Sequence, residues 1–162
     1  MNVIRLSNTE IRMCYAAAAD QNIYNKRVVK AKPRYGAGNN SDHQYSIEGI
    51  MGHFAFCKWK NIFYDVNIGN FSAIDAGIYE VRTHAHDYLI LHKEDRDDCP
   101  FVSVRGMYGE YTIDGWVWGR YGKDEKYWGD VFKKNRPAYF IPRKDLCPIV
   151  ALPEPGLWDG VN

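Results

Sequence analysis

The chain has no apolar run approaching the roughly 18 residues that a membrane span needs, and no CxxC pair. It also lacks a Walker loop, a GxGxxG turn, zinc-finger spacing and a GxSxG elbow. Those absences remove the commonest nucleotide-binding, structural-zinc and serine-hydrolase readings. Internal repeats and low-complexity segments are missing too. Met1 to Arg12 carries Arg5, Asn8, Glu10 and Arg12 where a secretory leader would run apolar. The four cysteines, Cys14, Cys57, Cys99 and Cys147, stand far apart in sequence. Together these predict reduced, mostly buried thiols in a cytoplasmic protein (the host cytoplasm if the source is viral), with no membrane partner.

What is present suits one folded domain. The 162 residues are 46% hydrophobic and 25% charged, enough for a core and too few for two comfortable domains. Aromatics reach 15%, with 12 Tyr and 5 Trp, a bias that favours strands and surfaces that stack on flat ligands. Net charge is only +1 but unevenly spread. Residues 1–40 hold seven basic side chains, Lys26, Arg27 and Lys30 among them, against Glu10 and Asp20. A basic arm on a mildly acidic body can follow phosphates; a solvated helix surface would have the same composition.

Ser7-Asn-Thr-Glu10 reads as a capping box opening a helix to about Lys30. Lys32-Pro33 and the Gly/Asn stretch 36–41 end it. A second helix over Ser46 to Lys60 sets Ile47, Ile50, Met51, Phe54 and Cys57 on one buried stripe. Short strands are predicted over Ile62–Val66, Phe71–Asp75, Ile78–His84, Tyr88–His92, Phe101–Arg105 and Tyr111–Trp118. Asp124 caps a short helix with Tyr127, Trp128, Val131 and Phe132 inward, Pro137–Pro142 is a last strand, and the tail from Pro148 lies on the surface. This order indicates an α+β fold. A basic helix and linker over 1–40 precedes an α+β unit over 41–162, the two making one structural body.

The stretch Asp75-Ala-Gly-Ile-Tyr-Glu80-Val81-Arg82-Thr83 carries the chemistry. In a strand alternate residues share a face, so Glu80 and Arg82 point one way and Tyr79, Val81 and Thr83 the other. Asp75, just before the Ala-Gly turn, can bring a second carboxylate to Glu80. Two carboxylates and a backbone carbonyl suit Mg²⁺ or Mn²⁺. A solvent-facing hairpin with a cross-strand ion pair is the plainer reading of the same residues.

Asp75-x4-Glu80-Val81-Arg82 resembles the motif of the PD-(D/E)XK nuclease superfamily, in particular its small phage-type members. Gly49-Ile-Met-Gly52-His53-Phe resembles the glycine-patterned helix that precedes the motif strands there, and Gly115-Trp116 and Arg136–Pro142 also look similar. The resemblance spans residues 46–148. It implies a restriction-endonuclease-like fold with a central mixed sheet and flanking helices, acting as a metal-dependent DNA nuclease. Asp75 and Glu80 would be the metal ligands with the Val81 carbonyl, and Arg82 would stand in the place of the motif lysine. Arg82 keeps its proton, so it can stabilise negative charge but not act as a base. No proline precedes Asp75, and His53 occupies the place of a helix glutamate, with Glu48 about a turn away as a substitute. A catalytically silent nuclease-fold module that binds DNA or a protein is the alternative, and a homodimer is compatible with either.

Further candidates come from the residues alone. His84 and His86 continue the face of Glu80 and Arg82, either as a turn pair or as a His-x-His ligand pair. Trp116 and Trp118 share a face as core residues or as a stacking pair. The run Trp118-Gly-Arg120-Tyr121-Gly-Lys123 mixes rings with cations, so Arg120 and Lys123 are candidates for phosphate contact.

Overall fold

The computed structural model of the chain describes residues 3–29, 42–66 and 74–155. Its first strand, β1 (Ile4–Arg5), leads into α1 (Asn8–Tyr24), which continues as a wider π-helical turn over Asn25–Val29. The predicted capping box forms: the Ser7 Oγ accepts from the Glu10 amide at 3.2 Å, and the Glu10 carboxylate accepts from the Ser7 amide at 2.6 Å. The second helix, α2, spans Asp42–Lys60. Lys30, the Gly/Asn connection and residues 71–73 of the predicted second strand lie outside the described residues.

Six further strands and one short helix follow: β2 (Glu80–His84), β3 (Tyr88–Leu91), β4 (Pro100–Met107), β5 (Glu110–Trp118), α3 (Gly119–Gly122), β6 (Trp128–Gly129) and β7 (Ala138–Pro142). One sheet is mixed, in the order β1-β5-β4-β2, with β2 parallel to β4; the other is antiparallel, in the order β3-β7-β6. Parallel neighbours need a long crossover. Between β2 and β4 that crossover is not a helix but β3, which leaves to pair with β7.

Parity along the strands explains the layers. Val81, Val102 and Val104 face the helices, in a core with Ile47, Ile50, Met51, Phe56 and Cys57. Phe101 and Val117 face the opposite way, against Leu89, Leu91, Tyr139 and Ile141 of the second sheet. The predicted α2 stripe is therefore buried as expected, with Phe54 only partly covered and Phe56 fully so. Packing is close where α2 crosses β2: a Cβ at Gly52 would sit 1.9 Å from the Thr83 hydroxyl.

Three expectations need correcting. Residues 62–66 form no strand. Asn61 turns to φ +56°, its amide donates to Lys58 and that of Ile62 to Cys57, which is a helix-closing turn; Tyr64 then folds back edge-on to His53 and Phe54. Asp124 caps a single 3₁₀ turn (Glu125–Tyr127) instead of a helix, though Tyr127 and Trp128 do pack on the second core. Val131 and Phe132 are exposed because the Asp130 carboxylate accepts from the amides of Lys134 and Asn135 and ties the segment into a loop. The segment from Pro148 is not wholly superficial: Leu152 is buried, and the Pro153 carbonyl accepts the Tyr79 hydroxyl at 2.6 Å.

Cys14, Cys57 and Cys99 are buried, Cys147 is exposed, and all four are free thiols. Burial pushes the Cys57 and Cys99 thiols up to about 12, with Asp75 and Glu80 respectively adding to it. These thiols are inert packing groups. Among the described residues no helix is long and apolar enough to cross a membrane.

Candidate active site

β2 is an edge strand, and an edge leaves backbone groups without a ladder partner. At Val81 two side chains take that role. The Val81 amide donates to Asp75 Oδ2 at 2.9 Å, and the Val81 carbonyl lies 3.0 Å from His53 Nε2. A carbonyl only accepts, so Nε2 is the protonated ring nitrogen. The same Nε2 lies 3.7 Å from Asp75 Oδ2. α2 thus delivers His53, the Ala76-Gly77 turn delivers Asp75, and the strand delivers its own carbonyl to one place. Gly77 makes this turn at φ +62°, and Ala76 and Tyr79 close it with reciprocal backbone bonds.

On the opposite face of the strand, Glu80 and Arg82 stand together as their parity requires. Burial pushes the Glu80 carboxyl up from its ordinary 4.5 to about 8. The Asp75 charge adds to that shift, Arg82 opposes it, and the two carboxyls are close enough to share a hydrogen bond. Arg82 donates to Asp95 at 2.9 Å and lies 5.1 Å from the centre of the Phe101 ring. Burial works against its charge, but Asp95, then Glu80 and Asp75, outweigh it and leave Arg82 above its ordinary value. Arg82 is a permanent cation set beside two carboxylates.

Asp75 is therefore the common member of two groups: with His53 it holds the Val81 backbone, and with Glu80 and Arg82 it forms a charged cluster. Glu48 belongs to neither. It lies five residues earlier on α2, accepting the Tyr111 hydroxyl at 2.7 Å and the Tyr108 amide. Among the described residues, no group of three or more His, Cys, Asp or Glu side chains is placed to hold a metal ion.

The histidine pair is accounted for structurally. His84 lies 2.8 Å from the His86 carbonyl through Nδ1 and 2.8 Å from the Ser103 hydroxyl through Nε2, and its ring stacks on His86 at 4.6 Å. With both nitrogens engaged it is no ligand here. Burial, then the neighbouring His86, brings His84 down to about 4. Trp116 is likewise a core residue, buried, with its indole N–H on the Pro148 carbonyl at 3.1 Å.

The basic candidates separate into two kinds. Lys123 is an internal tie: its ammonium donates to the Asp95 carbonyl at 2.5 Å and pairs with Asp97 at 2.6 Å. Arg120, Lys26 and Arg27 are exposed.

Two participants escaped the sequence reading. Asp95 sits in the acidic turn 94–98, which reads only as a strand break; its role shows once Arg82 is placed. Tyr64 packs on His53 and feels the charge of Asp75, but its alternating neighbours look like a strand. Comparison with known protein families, with curated proteins and with solved structures returns no match for this chain.

Proposed function

We propose that the chain is a metal-dependent DNA nuclease of restriction-endonuclease-like architecture, with Asp75, Glu80 and the Val81 carbonyl as its cation site. One observation carries this reading. The Asp75 and Glu80 carboxyls stand within hydrogen-bonding reach of each other at the β2 edge, and burial first, the Asp75 charge second, push Glu80 up to about 8. Such an arrangement is costly unless a cation neutralises it. Its donor set fits the proposed ion: Mg²⁺ and Mn²⁺ favour oxygen, and Mg²⁺ commonly takes one or two carboxylates and keeps several waters. Bound there, the ion would supply Lewis acidity and an activated water.

The remaining work falls to the chain's own groups. Arg82 presents a fixed positive charge to the non-bridging oxygens of a phosphodiester, where negative charge gathers as the bond is attacked. Asp95 aims that guanidinium. His53 holds the Val81 carbonyl in place, and the Val81 amide orients Asp75. Arg82 keeps its proton throughout.

A second reading has its own support. Asp75 and His53 are already explained as caps on the β2 edge, which a catalytically silent DNA-binding or protein-binding module would also need. The two readings separate in a cleavage assay on labelled duplex, single-stranded and branched DNA with Mg²⁺, Mn²⁺ or EDTA. Metal-dependent cutting is expected from the wild type, none from Asp75→Asn or Glu80→Gln, a residue of activity from Arg82→Lys and far less from Arg82→Ala. A wild type that cuts nothing, or a Glu80→Gln variant that cuts normally, hands the site to the silent reading.

A further inference from the structure

Next to the carboxylate pair, the segment Gly119-Arg120-Tyr121-Gly122 is built to display its two middle residues. A Cβ at Gly119 would lie 1.9 Å from the Arg96 carbonyl oxygen, and one at Gly122 would lie 2.9 Å from a Leu91 methyl. Both glycines are therefore buried against the body, and α3 docks flat on it. The Gly119 amide donates to Cys99 and the Arg120 amide to Asp97, which fixes the turn further. Between these clamps Arg120 is exposed, and Tyr121 is 63% exposed. The Arg120 guanidinium lies 5.6 Å from the centre of the Trp118 ring and 5.5 Å from that of Tyr121.

Charge pairing sets Arg120 apart from its neighbours. Arg82 is paired with Asp95, Arg96 with Asp98 and Lys123 with Asp97. Arg120 forms no ion pair among the described residues, although its charge is felt by the Asp98 carboxylate; its guanidinium rests against the two rings. Its place is also fixed. Glu80 pairs with Phe101 and Phe101 with Val117, so the strand end that leads into Trp118 and Arg120 lies two strand spacings from Glu80, about 10 Å.

We propose that Arg120 and Tyr121 form a stacking platform for an unpaired nucleotide, so that the chain engages single-stranded DNA. Tyr121 offers an exposed ring face to the base, and Arg120 meets the adjoining phosphate. A duplex keeps its bases stacked inward and cannot use the platform. For what then happens to the strand the proposal rests on the nuclease reading; binding itself does not depend on it.

The experiment is fluorescence anisotropy with the full chain in EDTA, using a labelled oligothymidylate and a blunt hairpin duplex of equal charge. The wild type is expected to prefer the oligothymidylate. Tyr121→Ala should weaken that binding by between about five- and a hundredfold, the range for one base–aromatic stack, while Tyr121→Phe retains it. Arg120→Gln should lower the slope of log affinity against log salt by about 0.7, the value for one single-strand phosphate. Duplex binding should change little with Tyr121→Ala. The proposal is overturned if Tyr121→Ala binds oligothymidylate like the wild type, if it loses duplex binding equally, or if an acidic peptide competes with the same dependence on Tyr121. Cleavage by the wild type separates the two claims. If the wild type binds oligothymidylate through Tyr121 but cuts nothing, the nuclease reading fails alone; if the wild type cuts but Tyr121 has no effect on binding, the platform fails alone.

Discussion

Glu80 is the residue at which packing and chemistry conflict most. A carboxyl at about 8 in the fold and near 4.5 in the unfolded chain keeps its proton only in the fold between those values. Over that window the folded chain binds more protons, so the group's contribution to stability falls as pH rises. Glu80→Gln removes the titration without removing the volume. It should melt with the wild type near pH 4 and melt higher at pH 8, by roughly 3–6 °C if about 1.5 kcal/mol is recovered in a domain of this size. Millimolar Mg²⁺ or Mn²⁺ should raise the wild-type melting temperature at pH 8 and raise that of Glu80→Gln less, because a cation that binds only the folded, ionised pair stabilises it by mass action. Equal melting curves at pH 8 would mean that the carboxyl is not strained. Asp75 behaves differently. It accepts the Val81 amide, so Asp75→Ala leaves an edge N–H without its partner and should cost about 1 kcal/mol, whereas Asp75→Asn keeps the acceptor oxygen.

At the scale of elements, β2 joins two opposing titrations on one face. His84, held neutral to about pH 4, stabilises the fold above its ordinary 6.5 and loses that contribution as pH falls towards 4. Glu80 has the opposite slope from 4.5 to 8, so the two largely cancel between about 4.5 and 6.5. Chemical unfolding of Glu80→Gln across pH should therefore uncover a rise in stability towards 6.5 that the wild type hides. The contact between α2 and β2 is the other element-level device. Gly52→Ala drives a methyl into Thr83 and should cost about 1–3 kcal/mol or more by overpacking. Phe56→Ala should cost about 3–5 kcal/mol, and Phe54→Ala less, since Phe54 is only partly buried.

The α2 stripe, the parity of β2 and the capping box were legible because each is a local pattern with one physical period. The departure of β3 to a second sheet was not, since a four-residue apolar run fits any buried strand position. Nor could sequence distinguish Lys123, consumed by the carbonyl of Asp95 and the carboxylate of Asp97, from Arg120, which projects. That difference depends on how two distant loops meet.

Across the whole molecule a net charge of +1 gives little general attraction to a polyanion. Many cations are also spoken for: Arg5 pairs with Glu110, Lys58 with Glu10, Lys60 with Glu154, and Arg105 with Asp114. The exposed cations Lys26, Arg27 and Arg120 stand at separated points, and their spacing decides which DNA reports on them. Lys26 and Arg27 stand on the π-helical turn that ends α1. One turn earlier, Asn22 accepts from Ser46 near the start of α2. His53 lies seven residues further along α2, about 10 Å at 1.5 Å per residue. If one DNA meets both Arg120 and the basic end of α1, the flanking duplex and not the short strand makes the second contact. Reversing both charges, Lys26→Glu with Arg27→Glu, is therefore expected to lower the salt slope by about 1.8 for a single-strand end joined to a duplex, the value for two lost duplex phosphates. For a short oligothymidylate the slope should stay at the wild-type value, and Arg120→Gln should show the converse pattern. Anisotropy titrations between about 50 and 200 mM salt measure both slopes. If the double variant leaves the duplex slope unchanged, the basic end of α1 is a solvated helix terminus and the DNA-facing surface contracts to the Arg120 side of the sheet.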